Sequence, residues 1–141
     1  MKRILLVGLL FLFSMFLVGM GSLGGAVRIR VPEPARNYSA SIMDQSDTST
    51  RVEKLSFEGQ TAISGKLGSG HVSIDFDKIV SMSFILHDNT LRADVLLKDD
   101  KTISVVVDKE MVCYGNLSWG GFKIAVADIR SITIHGLVNS Q

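Results

Sequence analysis

The chain has 141 residues, 15 Lys plus Arg against 14 Asp plus Glu, and a single cysteine. That length makes one domain the default, and the near-neutral balance excludes the concentrated basic face of a nucleic-acid binder. A lone cysteine excludes an internal disulfide, so an apolar core must hold the domain.

The chain opens on Met1-Lys2-Arg3, and the 24 residues from Ile4 to Val27 then carry no charge. A basic start, an apolar middle and small residues before a cut site define a secretory signal. Gly24 and Ala26 are the small pair, so residues 1–26 are expected to be a signal peptide cleaved after Ala26. The alternative is an uncleaved anchor. Roughly 20 apolar residues at about 1.5 Å each cross a bilayer core as a helix. Attachment through residues 4–27 would keep Lys2 and Arg3 on the cytoplasmic side. Under either reading the rest is exported. It would be periplasmic or extracellular, and in the second case held to the membrane by its N-terminal helix. A lipid anchor at the cut site needs a cysteine there, and the only one is Cys113.

Residues 27–51 read as a flexible linker. Val31-Pro32-Glu33-Pro34 holds both prolines of the chain, and prolines favour an extended start. The Ser/Thr-rich stretch that follows buries too little apolar surface to offset ordering entropy.

The texture changes over residues 52–136, which are expected to form a β domain followed by a tail at 137–141. Short runs alternate apolar and polar residues: Val72, Ile74 and Phe76; Val80, Met82, Phe84 and Leu86; Leu91, Ala93, Val95 and Leu97. Ile103, Val105 and Val107 follow, then Phe122, Ile124 and Val126, then Ile132 and Ile134. A period of two with branched side chains is the pattern of half-buried strands. Gly68-Ser69-Gly70, Asp88-Asn89, Asp99-Asp100 and Gly120-Gly121 separate the runs and suit tight turns. Brief helical turns are expected near Asp77-Lys78-Ile79 and Ala127-Asp128-Ile129. The stretch from Ala93 to Ile103 resembles the first hairpin of small SH3-like or Sm-like barrels, a likeness of fold that implies no function.

Shifting the sequence by 50 residues aligns 52–84 with 102–134 without a gap. Gly65, Leu67, Gly70, Ile74, Ile79 and Ser81 meet Gly115, Leu117, Gly120, Ile124, Ile129 and Ser131. The matches keep one phase of alternation, so both copies would bury equivalent positions. The fold class expected is all-β: a small barrel or two-layer sandwich of eight or nine strands with an internal pseudo-repeat.

Chemistry-bearing motifs are scarce. Asp75 and Asp77 would share a strand face, but their counterparts are Ala125 and Ala127, which favours a solvated face. His71, His87 and His135 lack zinc-motif spacing. There is no Gly-x-Ser-x-Gly, no His-Glu-x-x-His and no phosphate loop. No catalytic residue, cofactor or metal is assigned. Trp119, beside the Gly120-Gly121 turn, and Tyr114 in the same stretch are the candidate partner-binding residues. The competing reading folds Trp119 over an end of the core. The functional expectation is an exported, non-enzymatic β domain of the cell envelope, acting in protein binding or structure with an envelope protein as partner and no nucleic acid. The alternative is a carrier of a small apolar ligand within a β-barrel.

Overall fold

The computed structural model describes residues 28–139; the signal or anchor over 1–26 lies outside the described residues. Ten strands make up the fold: β1 (Tyr38–Asp44), β2 (Ser49–Phe57), β3 (Ala62–Leu67), β4 (Gly70–Asp75), β5 (Ile79–His87), β6 (Thr90–Leu97), β7 (Thr102–Val107), β8 (Val112–Leu117), β9 (Gly120–Ala125) and β10 (Ile129–Leu137). Single 3-10 turns occupy Phe76–Lys78 and Val126–Asp128, where the sequence places its two brief helical turns. Neighbouring strands are antiparallel, in the order β4-β3-β7-β6-β5-β10-β1-β2-β8-β9. The result is one curled half-barrel sheet.

One sheet curled on itself replaces the expected choice between barrel and sandwich. Its concave side is filled by alternate residues of successive strands. Ile42, Val52, Met82, Val95, Val105 and Ile132 are all essentially inaccessible. Phe76 sits fully buried in its 3-10 turn, edge-on to Tyr38 and Phe57 with ring centroids 5.4 and 5.6 Å away. Val126 holds the matching position in the second turn and is equally buried.

The linker expected over 27–51 is corrected. Tyr38–Asp44 is an interior strand, paired with β10 on one side and β2 on the other. Tyr38, Ala40 and Ile42 alternate with Ser39, Ser41 and Met43 and point into the core. The Ser-rich composition hides this period of two. Pro34 is also buried, and Pro32 lies against Gly59. The segment before β1 thus touches the domain at Val31, Pro32 and Pro34, while Arg28, Arg30 and Glu33 stay exposed. Leu137 pairs with Tyr38, so the sheet runs one residue into the expected tail.

A second correction concerns β5. Val80 was expected to point inward with Met82 and Phe84, yet it is exposed while Ile79 is buried. The register of β5 against β6 shifts between Ile79 and Ser81. Such a bulge inverts the facing of the residues before it. Leu86, at the end of the same run, is exposed too. The expected hairpin at Asp88-Asn89 forms between β5 and β6, with both residues at positive φ, as a two-residue hairpin turn requires.

Two glycines admit close strand packing. A Cβ on Gly65 would sit 2.6 Å from the carbonyl oxygen of Val106, and one on Gly115 would sit 2.6 Å from the Val52 Cβ. Both positions therefore require a residue without a side chain.

Candidate functional site

Four surface features carry the chemistry available to this sheet. The first is its pair of free edges. In β3–β4 the ladder is closed by Leu67 opposite Gly70 and extended by the Phe76 N–H donating to the Thr61 carbonyl. In β8–β9 it is closed by Leu117 opposite Gly120 and extended by the Val126 N–H donating to the Met111 carbonyl. Backbone groups alternate in direction along a strand. Those of His71, Ser73 and Asp75, and of Gly121, Lys123 and Ala125, therefore point away from the sheet. β4 and β9 end the strand order, so among the described residues these groups form two unpaired rows.

The second is the turn at Ser118-Trp119 joining β8 to β9. Trp119 is 83% exposed, which rules out its folding over the core. Tyr114 lies on the outer face of β8, opposite Lys123. The Lys123 ammonium sits 5.9 Å from the centre of its ring, within cation–π range. Tyr114 and Trp119 thus occupy different stretches of the hairpin, the first half-buried and the second open. Beside the turn, a groove of about 310 Å³ is lined by Arg51, Val52, Glu53, Asn116, Leu117 and Ser118.

The third is a clasp between the N-terminal segment and the first 3-10 turn. Arg36 donates to Asp77, and the Tyr38 hydroxyl donates to the other Asp77 oxygen. The Tyr38 hydrogen bond, reinforced by the Arg36 charge, holds the Asp77 carboxyl below its ordinary value. Desolvation and the same hydrogen bond push the Tyr38 phenol upward. Sequence reading missed Arg36 and Tyr38 because both fell in the expected linker; the alternation Tyr38, Ala40, Ile42 was the available signal. Asp75 and Asp77 do come together, across the strand end rather than along one strand. They line an open cleft of about 590 Å³ with Lys78, Lys98 and Asp99. The opposite charges interleave, so the cleft has no dominant sign.

The fourth is a Ser–His contact: Ser41 Oγ lies 2.7 Å from His135 Nε2 on the exposed face of β1 and β10. A hydrolytic dyad also needs an orienting acid and an oxyanion site, and among the described residues no carboxylate hydrogen-bonds to His135. The other two histidines lie on other strands, His71 on β4 and His87 at the end of β5. Among the described residues no group of three or more His, Cys, Asp or Glu is placed to hold a metal ion, and no helix is long and apolar enough to cross a membrane. Cys113 is fully buried. Burial pushes its thiol up to about 12, which leaves almost no thiolate near neutral pH.

No curated protein and no solved structure matches the chain. A family model described as "Uncharacterised protein" matches residues 34–136. The match opens at the buried Pro34, takes in β1 and reaches Gly136 within β10, so it coincides with the folded sheet rather than with the span expected from residue 52. On that coverage the chain belongs to this family.

Proposed function

We propose that the chain is an exported, non-enzymatic β domain of the cell envelope that works by protein binding, adding a partner's strand to a free edge of its sheet. The observation that supports this most is the pair of unpaired backbone rows on β4 and β9. An open row of N–H and C=O groups is a template for strand addition, and both rows here lie on six-residue strands at the ends of the sheet. The export reading rests on the uncharged run from Ile4 to Val27 and its basic start.

Proline substitution tests the reading without disturbing the fold. Proline at an edge position whose N–H faces outward removes a donor that the internal ladder does not use. The tagged full chain, expressed in its own envelope, should capture a partner that Ser73→Pro or Lys123→Pro loses. Equal capture by both variants, or none by the parent chain, overturns it. Reading the N-terminus of the captured chain distinguishes cleavage after Ala26 from a retained anchor.

We also infer that the domain consists of two halves related by a pseudo-twofold axis. The run β3, β4, 3-10 turn, β5 and the run β8, β9, 3-10 turn, β10 start 50 residues apart and have element lengths of 6, 6, 3 and 9 residues in both cases. The strand order is itself symmetric about the β5–β10 contact, where Met82 faces Ile132. In the first half the Asp88-Asn89 turn links β5 to β6. In the second the corresponding junction is open, and β10 and β1, the last and first strands in chain order, pair there at the middle of the sheet, with the Val138 N–H donating to the Asn37 carbonyl. A chain permuted to join residues 138 and 37 and opened at Asp88-Asn89 should therefore fold. Failure of that permutant to give a β-type circular-dichroism spectrum would count against the symmetry.

The carrier reading has less support. Buried side chains fill the concave face, and the cleft of about 590 Å³ is rimmed by charges.

A further inference from the structure

We propose that the end of the sheet bearing the Trp119 turn is a seat for an anionic lipid bilayer surface. The inference rests on reading residues 4–27 as holding the exported chain to a membrane, and it says how the domain would sit there.

The argument begins with where the chain enters the domain. Ile29 and Val31 lie over Gly121, two residues from Trp119. A Cβ on Gly121 would come within 2.8 Å of the Val31 Cγ2 and 3.3 Å of the Ile29 carbonyl oxygen. The absence of a side chain there lets the N-terminal segment lie flat against β9. The uncharged run ends two residues before Ile29, and two extended residues span at most about 7 Å. Because Ile29 and Val31 already lie on β9, a membrane-held leader would bring this end of the sheet toward the bilayer.

The side chains at this end suit that surface. Trp119 is 83% exposed and Ile29 43%, so both present apolar surface to solvent. Tryptophan favours the headgroup level of a bilayer, where its ring is half wet and half apolar. Arg28 and Arg30 flank Ile29 and are exposed, and Arg51 lines the groove beside the turn. Against these three cations the groove offers one acid, Glu53; the nearby Glu33 is engaged by Lys54. Clustered arginines beside a membrane segment attract anionic headgroups. The β3–β4 hairpin makes an informative contrast. Its two-residue turn carries Gly68 and Ser69 in place of Ser118 and Trp119, and it lies at the other edge of the sheet.

Trp119 is the only tryptophan in the chain, so intrinsic fluorescence reports on this site alone. The full chain is reconstituted into vesicles of phosphatidylcholine with or without phosphatidylglycerol, and its flotation is recorded first. In the floating fraction Trp119 emission should shift to the blue. It should be quenched by lipid brominated on the acyl chain and protected from iodide, most strongly with phosphatidylglycerol present. Arg28→Glu with Arg30→Glu should reduce the protection. A chain carrying Ser69→Trp and Trp119→Phe, with its sole indole on the other hairpin, should stay open to iodide. If the chain floats but iodide reaches Trp119 as freely as it reaches that control, the seat is wrong and the attachment stands. Protection from iodide without quenching by brominated lipid places the indole on protein and overturns the seat equally. A chain that does not float overturns the attachment and the seat with it.

Discussion

The β3–β4 region and the β8–β9 region have the same parts and different surfaces. Each is a hairpin of two six-residue strands closed by two turn residues, followed by a 3-10 turn with one fully buried side chain. Each has a glycine in its first strand where the neighbouring strand leaves no room for a Cβ. The differences are confined to the outside. Asp77 clasps Arg36 and Tyr38, whereas Ala127 holds nothing comparable; Trp119 stands in solvent where its counterpart is Ser69. What the regions share is what folding requires. What they do not share is where function can differ, and the following substitutions test that division.

The largest effects should come from the shared interior. Phe76→Ala removes a ring packed edge-on to two others and should cost about 3–5 kcal/mol, against about 1–3 kcal/mol for Val126→Ala. Chemical denaturation of both variants measures the difference, and a harmless Phe76→Ala would break the comparison. Next come the glycines. Gly65→Ala and Gly115→Ala should each destabilise by about 1–3 kcal/mol through overpacking. Gly65→Ala should be the worse, because its new methyl meets a backbone oxygen while that of Gly115 meets a side chain. Equal tolerance at both would mean the strands can separate there.

The clasp should add a pH dependence that only one region has. Asp77 has a lowered carboxyl pKa in the folded chain, so the stability it contributes is present above the unfolded value near 3.8 and is lost as the pH falls through the folded one. Tyr38 has a raised phenol pKa, so its contribution is present below about 10 and is lost as the pH rises through the folded value. Stability measured from pH 7 down to 2 should fall less steeply for Asp77→Asn than for the parent chain. Superimposable profiles would dismiss the clasp. The smallest effect belongs to the most conspicuous residue: Trp119→Ala should stay within about 0.5 kcal/mol of the parent, as exposed positions generally do.

How much of this was legible beforehand follows from the same contrast. The inward runs at Met82 and Phe84, at Leu91 to Val95 and at Val105 and Val107 could be read directly, because a period of two survives wherever pairing is regular. Both 3-10 turns were visible as interruptions of that period. The reading failed at Val80, because a bulge adds one residue to a strand without marking the sequence. It failed again at β1, where Tyr38, Ala40 and Ile42 are spaced by serines that composition assigns to a tether. Strand order was not legible, since the pairing of β1 with β10 joins the two ends of the fold and leaves no local trace. At the candidate sites, Trp119 could be singled out but its exposure could not. The clasp was invisible because Arg36 and Asp77 lie 41 residues apart.

The division between a shared interior and an unshared exterior is tested most directly at Trp119, by urea unfolding of the parent chain and of Trp119→Ala followed by far-ultraviolet circular dichroism. The two curves should superimpose. A loss of more than about 1 kcal/mol in the variant would make the indole part of the fold and contradict the account.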